Sequence, residues 1–256
     1  MRGAPLLRAP ESVVFLGCRV DALTLPAALE WMVAAIAARQ PRQVVVVNAN
    51  KFYLMSRHPE LAAVVRGADL VLPEWAVVWG ARRLRLRPLH FVAGVSTMRE
   101  FLPLAAAHGY RPYLLGASRE VVTSLAQRLR LEWRVDVAGF HHGYLDTPAV
   151  EQAVIDDVRR TRPDILFAGL GSPRQELWLH AHRDVLGVPV SIGVGGSFDV
   201  LAGIKPDTPA WARGNGLEWL YRTWLDPRAY WKRYLVVNTW FVAQVLRARW
   251  AQSRRP

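Results

Sequence analysis

Two polar side chains follow apolar, strand-like runs and could carry acid–base chemistry. Glu74 follows Leu70-Val-Leu-Pro73, and a carboxylate held there by proline beside the aromatic Trp75 has the placement of a general base in a partly dry cleft. Asn48 follows a run of four valines, and its amide can donate to and accept from a sugar hydroxyl. We interpret Asp69 as a strand-entry or capping residue. We therefore predict that Glu74 and Asn48 are catalytic, with Glu74 as the base.

Two glycine-rich turns have the composition of a phosphate site. They read Gly169-Leu-Gly-Ser-Pro-Arg-Gln-Glu176 and Gly193-Val-Gly-Gly-Ser-Phe-Asp199, each after a strand-like run. Small residues let backbone amides approach an anion at a helix N-terminus, so two such turns suit a diphosphate ligand such as a nucleotide sugar. The first turn matches neither the dinucleotide fingerprint nor the P-loop. The candidate binding residues are Asn50, Gly116, Gly169, Gly171, Arg174, Gln175, Glu176, Gly195, Gly196 and Asp199.

Two of these residues have an equally simple structural interpretation. Asn50 could cap the helix that follows its strand. Asp199 could cap a helix instead of accepting hydrogen bonds from ribose or sugar hydroxyls. The sequence leaves both alternatives open.

The metal-binding motifs of other enzymes are missing from the sequence. It contains no Asp-x-Asp triad, no HExxH motif and no paired cysteines. His141 and His142 are adjacent, and adjacent side chains of an extended segment point to opposite sides, which makes a poor metal site. We therefore expect a metal-independent reaction without a cofactor.

The elements around these residues alternate between short β-branched runs and longer helical patterns. This alternation predicts an α/β fold, a Rossmann-like layered domain with a largely parallel sheet. Ligands of such sheets bind outside the carboxyl ends of the strands, where the polar residues above fall. The predicted strands are Val13–Leu16, Val44–Val47, Leu70–Leu72, Tyr113–Leu115, Val135–Val137, Ile165–Phe167 and Val190–Gly193. The predicted helices are Pro26–Ala38, Pro59–Val65, Thr97–Ala107, Glu120–Leu129, Ala149–Arg160 and Gln175–Val185.

The C-terminal segment has a different composition. From Arg228 to the end there is no Asp or Glu, and six of the eleven tryptophans lie beyond position 210. We predict a core at 1–209 and a basic, aromatic helical appendage at 210–256. Such a helix can lie in a lipid headgroup layer, whereas packing in the core or against solvent is the simpler alternative. No apolar run approaches the ~20 residues needed to span a bilayer.

The net charge of the chain indicates which partners to expect, and its cysteine content indicates which cellular compartment to expect. The 256-residue chain has a formal net charge of +12, which favours anionic partners: a phosphorylated substrate, an anionic membrane surface or nucleic acid. The single cysteine, Cys18, is compatible with a reducing compartment. We expect a cytoplasmic protein that associates peripherally with the membrane.

Several multi-residue motifs, in order, resemble the WecG/TagA/CpsF family of bacterial glycosyltransferases. They are Phe140-His-His-Gly-Tyr144, the two glycine-rich turns, and Gly216-Leu-Glu-Trp-Leu-Tyr-Arg222 with Asp226-Pro-Arg228. The resemblance runs from about Val13 to Phe241.

The resemblance implies an inverting transfer of a sugar, often N-acetylmannosamine or a related uronic acid. The donor would be a UDP-sugar and the acceptor a polyprenyl-diphosphate-linked glycan at the cytoplasmic membrane face, in cell-surface polysaccharide biosynthesis. The family's proposed base falls on Glu74. The resemblance also implies that C-terminal arginines complete the active site, and the candidates for meeting a diphosphate are Arg222, Arg228 and Arg233.

Departures from the family pattern cluster around the expected site. Glu74-Trp75 replaces Asp-Gly, Val46 replaces a common Thr, and Phe91 replaces a frequent Arg. Ser96 occupies the position of a frequent Asp, and Asp207-Thr-Pro replaces the usual Arg-Ala-Pro. These changes concern the identity of the sugar more than the class of reaction.

Two alternatives stay open at this point. The basic, aromatic segment could be a nucleic-acid-binding module that stacks bases on Trp and Tyr, although no nucleic-acid motif is present. A nicotinamide-dependent oxidoreductase could use the same type of sheet, but the dinucleotide fingerprint is missing. We favour the glycosyltransferase, with no nucleic-acid partner; a homo-oligomer is left open.

Overall fold

A six-stranded parallel sheet forms the centre of the protein. The computed structural model describes residues 9–209, 211–212, 216–225 and 227–254. The strands of the sheet are β3 (Arg42–Val47), β4 (Leu70–Pro73), β5 (Pro112–Gly116), β6 (Gly139–His141), β7 (Ile165–Gly169) and β8 (Val190–Gly193). Their order in the sheet is β4-β3-β8-β7-β5-β6, and every neighbouring pair is parallel. The predicted α/β fold is confirmed.

Helices cover both faces of this sheet. Within the described ranges they are α1 (Leu25–Ala38), α2 (Ala49–Met55), α3 (Pro59–Gly67), α4 (Trp75–Arg83), α5 (Gly94–His108), α6 (Arg119–Leu131), α7 (Pro148–Thr161), α8 (Arg174–Ala181), α9 (Arg183–Leu186), α10 (Ser197–Leu201), α11 (Glu218–Leu225) and α12 (Pro227–Ser253).

The valine run of β3 shows why the sheet is buried on both sides. Val44 and Val46 pack in one apolar cluster with α1, α5 and α6, whereas Val45 and Val47 pack in another with α2, α3 and α4. Side chains alternate between the two faces of a strand, so a continuous apolar run satisfies both. The carboxyl end of β3 is thereby fixed between two helical layers.

A small antiparallel hairpin precedes the sheet and was not predicted as such. Its strands are β1 (Ser12–Phe15) and β2 (Cys18–Asp21), which pair around Leu16 and Gly17. Both turn residues have positive φ, a conformation typical of tight hairpin turns. Phe15 is fully buried and carries the hairpin into the cluster around α2 and α4.

Two predicted elements were wrong. Residues Val135 and Val137 are buried, but they belong to an irregular segment, and the strand that pairs with β5 lies later, at β6. Their apolar character serves packing against α6 and not a strand ladder. The single helix predicted over Gln175–Val185 is two helices, α8 and α9, which meet at His182.

The C-terminal helix α12 packs on the core. Its residues Val237, Phe241 and Val245 are buried in the same cluster as Phe15 and Phe52. The Phe241 ring lies 5.9 Å from that of Phe15 and 6.0 Å from that of Phe52, measured between centroids. The predicted helix is therefore present, and one of its faces completes an apolar cluster of the α/β domain. The boundary at 209/210 stays a prediction.

The opposite face of α12 is exposed and mixed in character. No helix in the described part of the chain is both long enough and apolar enough to cross a membrane. The large apolar side chains exposed on this helix are Trp231, Leu235, Val236, Val242, Leu246 and Trp250.

Candidate active site

Asn48 and Glu74 meet at the carboxyl ends of β3 and β4. The Asn48 Nδ2 donates to Glu74 Oε2 at 3.0 Å, and the Asn48 Oδ1 accepts from the backbone N of Lys51 at 2.9 Å. Asn48 is therefore the N-cap of α2 as well as a partner of Glu74. The Glu74 backbone N donates to the Val47 carbonyl at 2.8 Å, which joins the two strand ends. The sequence had singled out both residues as catalytic, and that role stays a prediction.

Glu74 occupies the N-cap position of α4 but does not cap it. Its backbone is extended, with φ −83° and ψ 174°, and its side chain makes no capping hydrogen bond. The carboxylate thus keeps the favourable electrostatic position at a helix N-terminus while its orientation is set by Asn48. A partly buried carboxylate with a fixed orientation can accept a proton from a ligand hydroxyl.

A polar cavity of about 150 Å³ lies on one side of this pair. Backbone and small side chains after β8 form one wall, including Gly195, Gly196 and Ser197. Lys51, Ser172 and Gln175 line it as well. Its size and its polar lining suit a phosphate group or part of a sugar.

A larger, aromatic cavity of about 410 Å³ lies on the other side. Helix α4 contributes Trp75 and Trp79, and helix α12 contributes Tyr234 and Phe241; Phe91 closes the wall. Aromatic faces pack against the apolar faces of sugars and against isoprenoid chains, because both bury apolar area there. The C-terminal helix is therefore part of this candidate site.

Glu74 stands where the two cavities meet. It lines both, as do Asn48 and Glu218. Gly216, with φ +76°, lies against Trp75 so closely that an added Cβ would be 1.8 Å from the indole Nε1. That contact fixes the Trp75 ring as a wall directly beside Glu74. A group in each cavity would be brought to the same carboxylate.

Behind the polar cavity lies a buried network. The Lys51 ammonium pairs with Glu176 Oε1 and donates to Ser172 Oγ at 2.7 Å. Gln175 Nε2 donates to Glu176 Oε1 at 2.7 Å, and Gln175 Oε1 accepts from the Gly195 backbone N at 3.2 Å. Glu176 therefore positions Lys51 without lining the cavity, and Gln175 connects Glu176 to the turn after β8.

The glycines that end β5 and β7, and the glycine shortly after β6, have a packing role in this arrangement. A Cβ on Gly116 would lie 2.6 Å from backbone atoms of Gly169, and one on Gly143 would lie 3.2 Å from Gly116 Cα. The strand ends approach closely because they lack side chains there. These glycines do not line either cavity as the structure describes them.

The other predicted binding residues fall into two groups. Asn50 lines the aromatic cavity, and Gln175, Gly195 and Gly196 line the polar one. Asp199 is partly buried on α10, with its carboxylate 3.4 Å from Lys205 Nζ. Among the predicted binding residues that the structure describes, those that line neither cavity are Gly116, Gly169, Gly171, Arg174, Glu176, Asp199 and Arg228. The side chains of Arg222 and Arg233 lie outside the described residues.

The histidines after β6 do not form a metal site. The His142 Nε2 accepts from the Arg119 guanidinium at 3.0 Å, and burial, followed by repulsion from His141 and Arg119, lowers the pKa of His142. No group of three or more His, Cys, Asp or Glu side chains in the described ranges could hold a metal ion.

The chain matches one protein family along nearly its whole length. The model described as "Glycosyl transferase WecG/TagA/CpsF family" covers residues 13–255. The chain belongs to the WecG/TagA/CpsF family of glycosyltransferases. The resemblance seen in the motifs is thereby confirmed.

Two relatives of this WecG/TagA/CpsF chain come from Staphylococcus aureus, strains NCTC 8325 and MRSA252. Both are named N-acetylglucosaminyldiphosphoundecaprenol N-acetyl-beta-D-mannosaminyltransferase. Each is 30% identical to this chain over 224 residues, which is 86% of this chain and 86% of the relative.

The departures from the family pattern can now be located. Trp75 and Phe91 line the aromatic cavity, whereas Val46 lines the polar one. Ser96 lies in the first turn of α5, and Asp207 pairs with Arg99 at 2.6 Å. Three of the five substitutions therefore change the walls on either side of Glu74.

Sequence reasoning missed several residues of the site. Lys51 received no role, although a lysine three positions after Asn48, in a helix whose other buried residues are apolar, is a usable signal. Trp79, Tyr234 and Phe241 were missed because they enter the cavity from helix faces that only the packing of α4 and α12 defines.

Proposed function

We propose that this chain is an inverting, metal-independent glycosyltransferase. In this proposal it moves a sugar, N-acetylmannosamine or a related hexose or uronic acid, from a UDP-sugar to a polyprenyl-diphosphate-linked acceptor in cell-surface polysaccharide biosynthesis. Membership of the family and the names of the two relatives support the acceptor class. The position of Glu74 between a polar and an aromatic cavity is the observation that carries the proposal.

The reaction is a single displacement at the anomeric carbon. The acceptor hydroxyl oxygen forms a bond to that carbon while the bond to the UDP oxygen breaks, and the hydroxyl proton passes to Glu74. Asn48 holds the Glu74 carboxylate through its 3.0 Å hydrogen bond, which reduces the reorganisation needed for proton transfer. One displacement from the opposite side inverts the anomeric configuration.

Each cavity suits one of the two substrates. The polar cavity, bounded by the turn after β8, suits a phosphate group of the donor or part of its sugar. The aromatic cavity, with Trp75, Trp79 and Tyr234, suits the acceptor sugar and the first part of its lipid. This placement brings the acceptor hydroxyl and the anomeric carbon together beside Glu74.

A peripheral position on the cytoplasmic face of the membrane fits this acceptor. Exposed Leu235, Leu246 and Trp250 lie on α12 together with exposed Arg247 and Arg249. Apolar and cationic side chains on one helix favour binding in the headgroup layer of anionic lipids. The helix that would contact the membrane also forms a wall of the aromatic cavity, so a lipid-linked acceptor has a short path to Glu74.

One experiment tests the proposal directly. The protein is incubated with a panel of UDP-sugars and a short-chain polyprenyl-diphosphate N-acetylglucosamine acceptor in EDTA. We expect transfer from at least one donor, with an inverted anomeric configuration in the product by NMR. Transfer that requires a divalent cation, or retention of configuration, would contradict the mechanism. If no donor is transferred, and the protein binds oligonucleotides or NADH instead, the function is wrong.

A further inference from the structure

We propose that Lys51 binds the phosphate of the nucleotide donor and supplies the fixed positive charge of the site. This inference rests on the proposed function. It concerns a residue of α2 that the motifs left without a role and that lies beside the polar cavity.

The burial of Lys51 is the first observation. It is 4% exposed, although α2 otherwise buries only apolar residues such as Phe52 and Met55. Burying an ammonium group is costly unless it is paired, and Glu176, itself 2% exposed, supplies the pair. Replacing such a pair by apolar residues of similar size is often neutral or stabilising. Stability alone therefore gives little reason for an ion pair at this position.

The second observation is the unused hydrogen-bonding capacity of Lys51. An ammonium group has three N–H donors. In the described structure Ser172 Oγ and Glu176 Oε1 take two of them. Lys51 and Ser172 both line the polar cavity, so the third donor is available to a ligand there.

The third observation is the electrostatic balance of the cavities. Among the described residues that line them, Lys51 is the single cation. The backbone amides of the turn after β8 are not all available to a ligand, because the Gly195 amide already donates to Gln175. A departing diphosphate accumulates negative charge, and a charge-assisted hydrogen bond from an ammonium stabilises it. Among the described residues that line the cavities, Lys51 is the one whose position and charge allow it to stabilise the departing diphosphate.

The network around Lys51 keeps the ammonium in place. Glu176 is held through its backbone carbonyl by Gln43 of β3 at 3.0 Å, and through its side chain by Gln175. Lys51 also lies in the same helical turn as Asn48, which orients Glu74. The charge for the leaving group and the base for the acceptor are therefore fixed to the same end of α2.

Binding of UDP, UMP and uridine to Lys51→Met tests the inference by calorimetry. We expect affinity for UDP and UMP to fall about tenfold to a hundredfold, the range for a lost hydrogen bond to a charged group, and affinity for uridine to stay unchanged. Arg42→Met is the matched control. Arg42 is a cation of β3 that pairs with Asp69 and lines neither cavity. Its replacement should therefore leave UDP affinity unchanged.

Two further variants separate binding from folding. Lys51→Met leaves Glu176 buried without its partner, so Lys51→Met with Glu176→Gln provides a neutral pair that should fold and still bind UDP weakly. Glu176→Gln alone should bind UDP at least as tightly as the wild type, because it removes a negative charge beside Lys51.

The outcomes distinguish this inference from the proposed function. UDP binding as tight as wild type in the double variant would overturn the role of Lys51 while leaving the donor assignment intact. Equal losses in Glu176→Gln and Lys51→Met would show that the ion pair, and not the cation, supports binding, and would overturn it too. A wild-type protein that binds no UDP would overturn the donor assignment together with this inference.

Discussion

Replacing Phe241 by alanine tests whether the C-terminal helix is part of the folded domain. Phe241 is 2% exposed and contacts the rings of Phe15 and Phe52, which belong to the hairpin and to α2. Gly80 of α4 lets Phe15 and Val245 of α12 approach that helix closely, since an added Cβ there would lie 2.6 Å from Phe15 and 3.2 Å from Val245. The Phe241 side chain is therefore packed against the hairpin and α2, in a cluster that α4 also joins.

The expected effect of Phe241→Ala is large. Truncating a buried phenylalanine costs about 3–5 kcal/mol, the sum of lost transfer free energy and a residual cavity. For a chain of this size each kcal/mol lowers the melting temperature by about 2–4 °C, so we expect a decrease of roughly 6–20 °C. Because Phe241 also lines the aromatic cavity, KM for the lipid-linked acceptor should rise.

Urea and thermal unfolding followed by circular dichroism give the measurement. Leu246→Ala is the control, because Leu246 lies on the same helix but is 58% exposed, and its replacement should change stability by less than about 0.5 kcal/mol. If both variants unfold like the wild type, the helix is an appendage that folds independently of the core. A stability loss confined to Phe241→Ala supports the packing described above.

Three more predictions follow from single contacts. Asn48→Asp preserves the N-cap of α2 but replaces the donor to Glu74 by a carboxylate, so kcat should fall by at least about tenfold and repulsion between the two carboxylates should lower the melting temperature; equal kcat would argue against an orienting role. Gly216→Ala must move the Trp75 indole and also places alanine at φ +76°, so acceptor KM should rise and stability fall by about 1–2 kcal/mol; steady-state kinetics and thermal unfolding would show it, and unchanged values would refute the contact. Burial raises the pKa of Cys18 to about 11, so a thiol reagent at pH 8 should react with the unfolded protein only; rapid labelling of the native protein would contradict its burial.

The sequence predicted the parallel sheet because its strands are strongly apolar and its helices strongly periodic. The sequence-based prediction failed where apolar residues are buried without belonging to a hydrogen-bonded strand. Val135 and Val137 are apolar because they pack against α6, not because they pair with a strand. The helix α4 was missed because it is short and contains two tryptophans and a glycine, residues that tertiary contacts place there and that local propensity does not favour.

The site was predictable in part for a similar reason. Ligands of parallel sheets bind at strand ends, so Asn48 and Glu74 could be proposed as site residues from their position after two apolar runs. The pairing of Lys51 with Glu176 joins residues 125 positions apart, and no local pattern reports it. The aromatic cavity depends on how α12 lies across α2 and α4, which composition alone does not define.

The central claim is that Glu74 is the base at the junction of the two cavities. Its most direct test is the turnover of Glu74→Gln with the UDP-sugar and the polyprenyl-diphosphate acceptor, beside UDP affinity and with surface Glu60→Gln as the control. We predict that kcat falls by about 10²–10⁴-fold in Glu74→Gln alone, while its affinity for UDP is unchanged. Turnover of Glu74→Gln within about threefold of the wild type would contradict the claim.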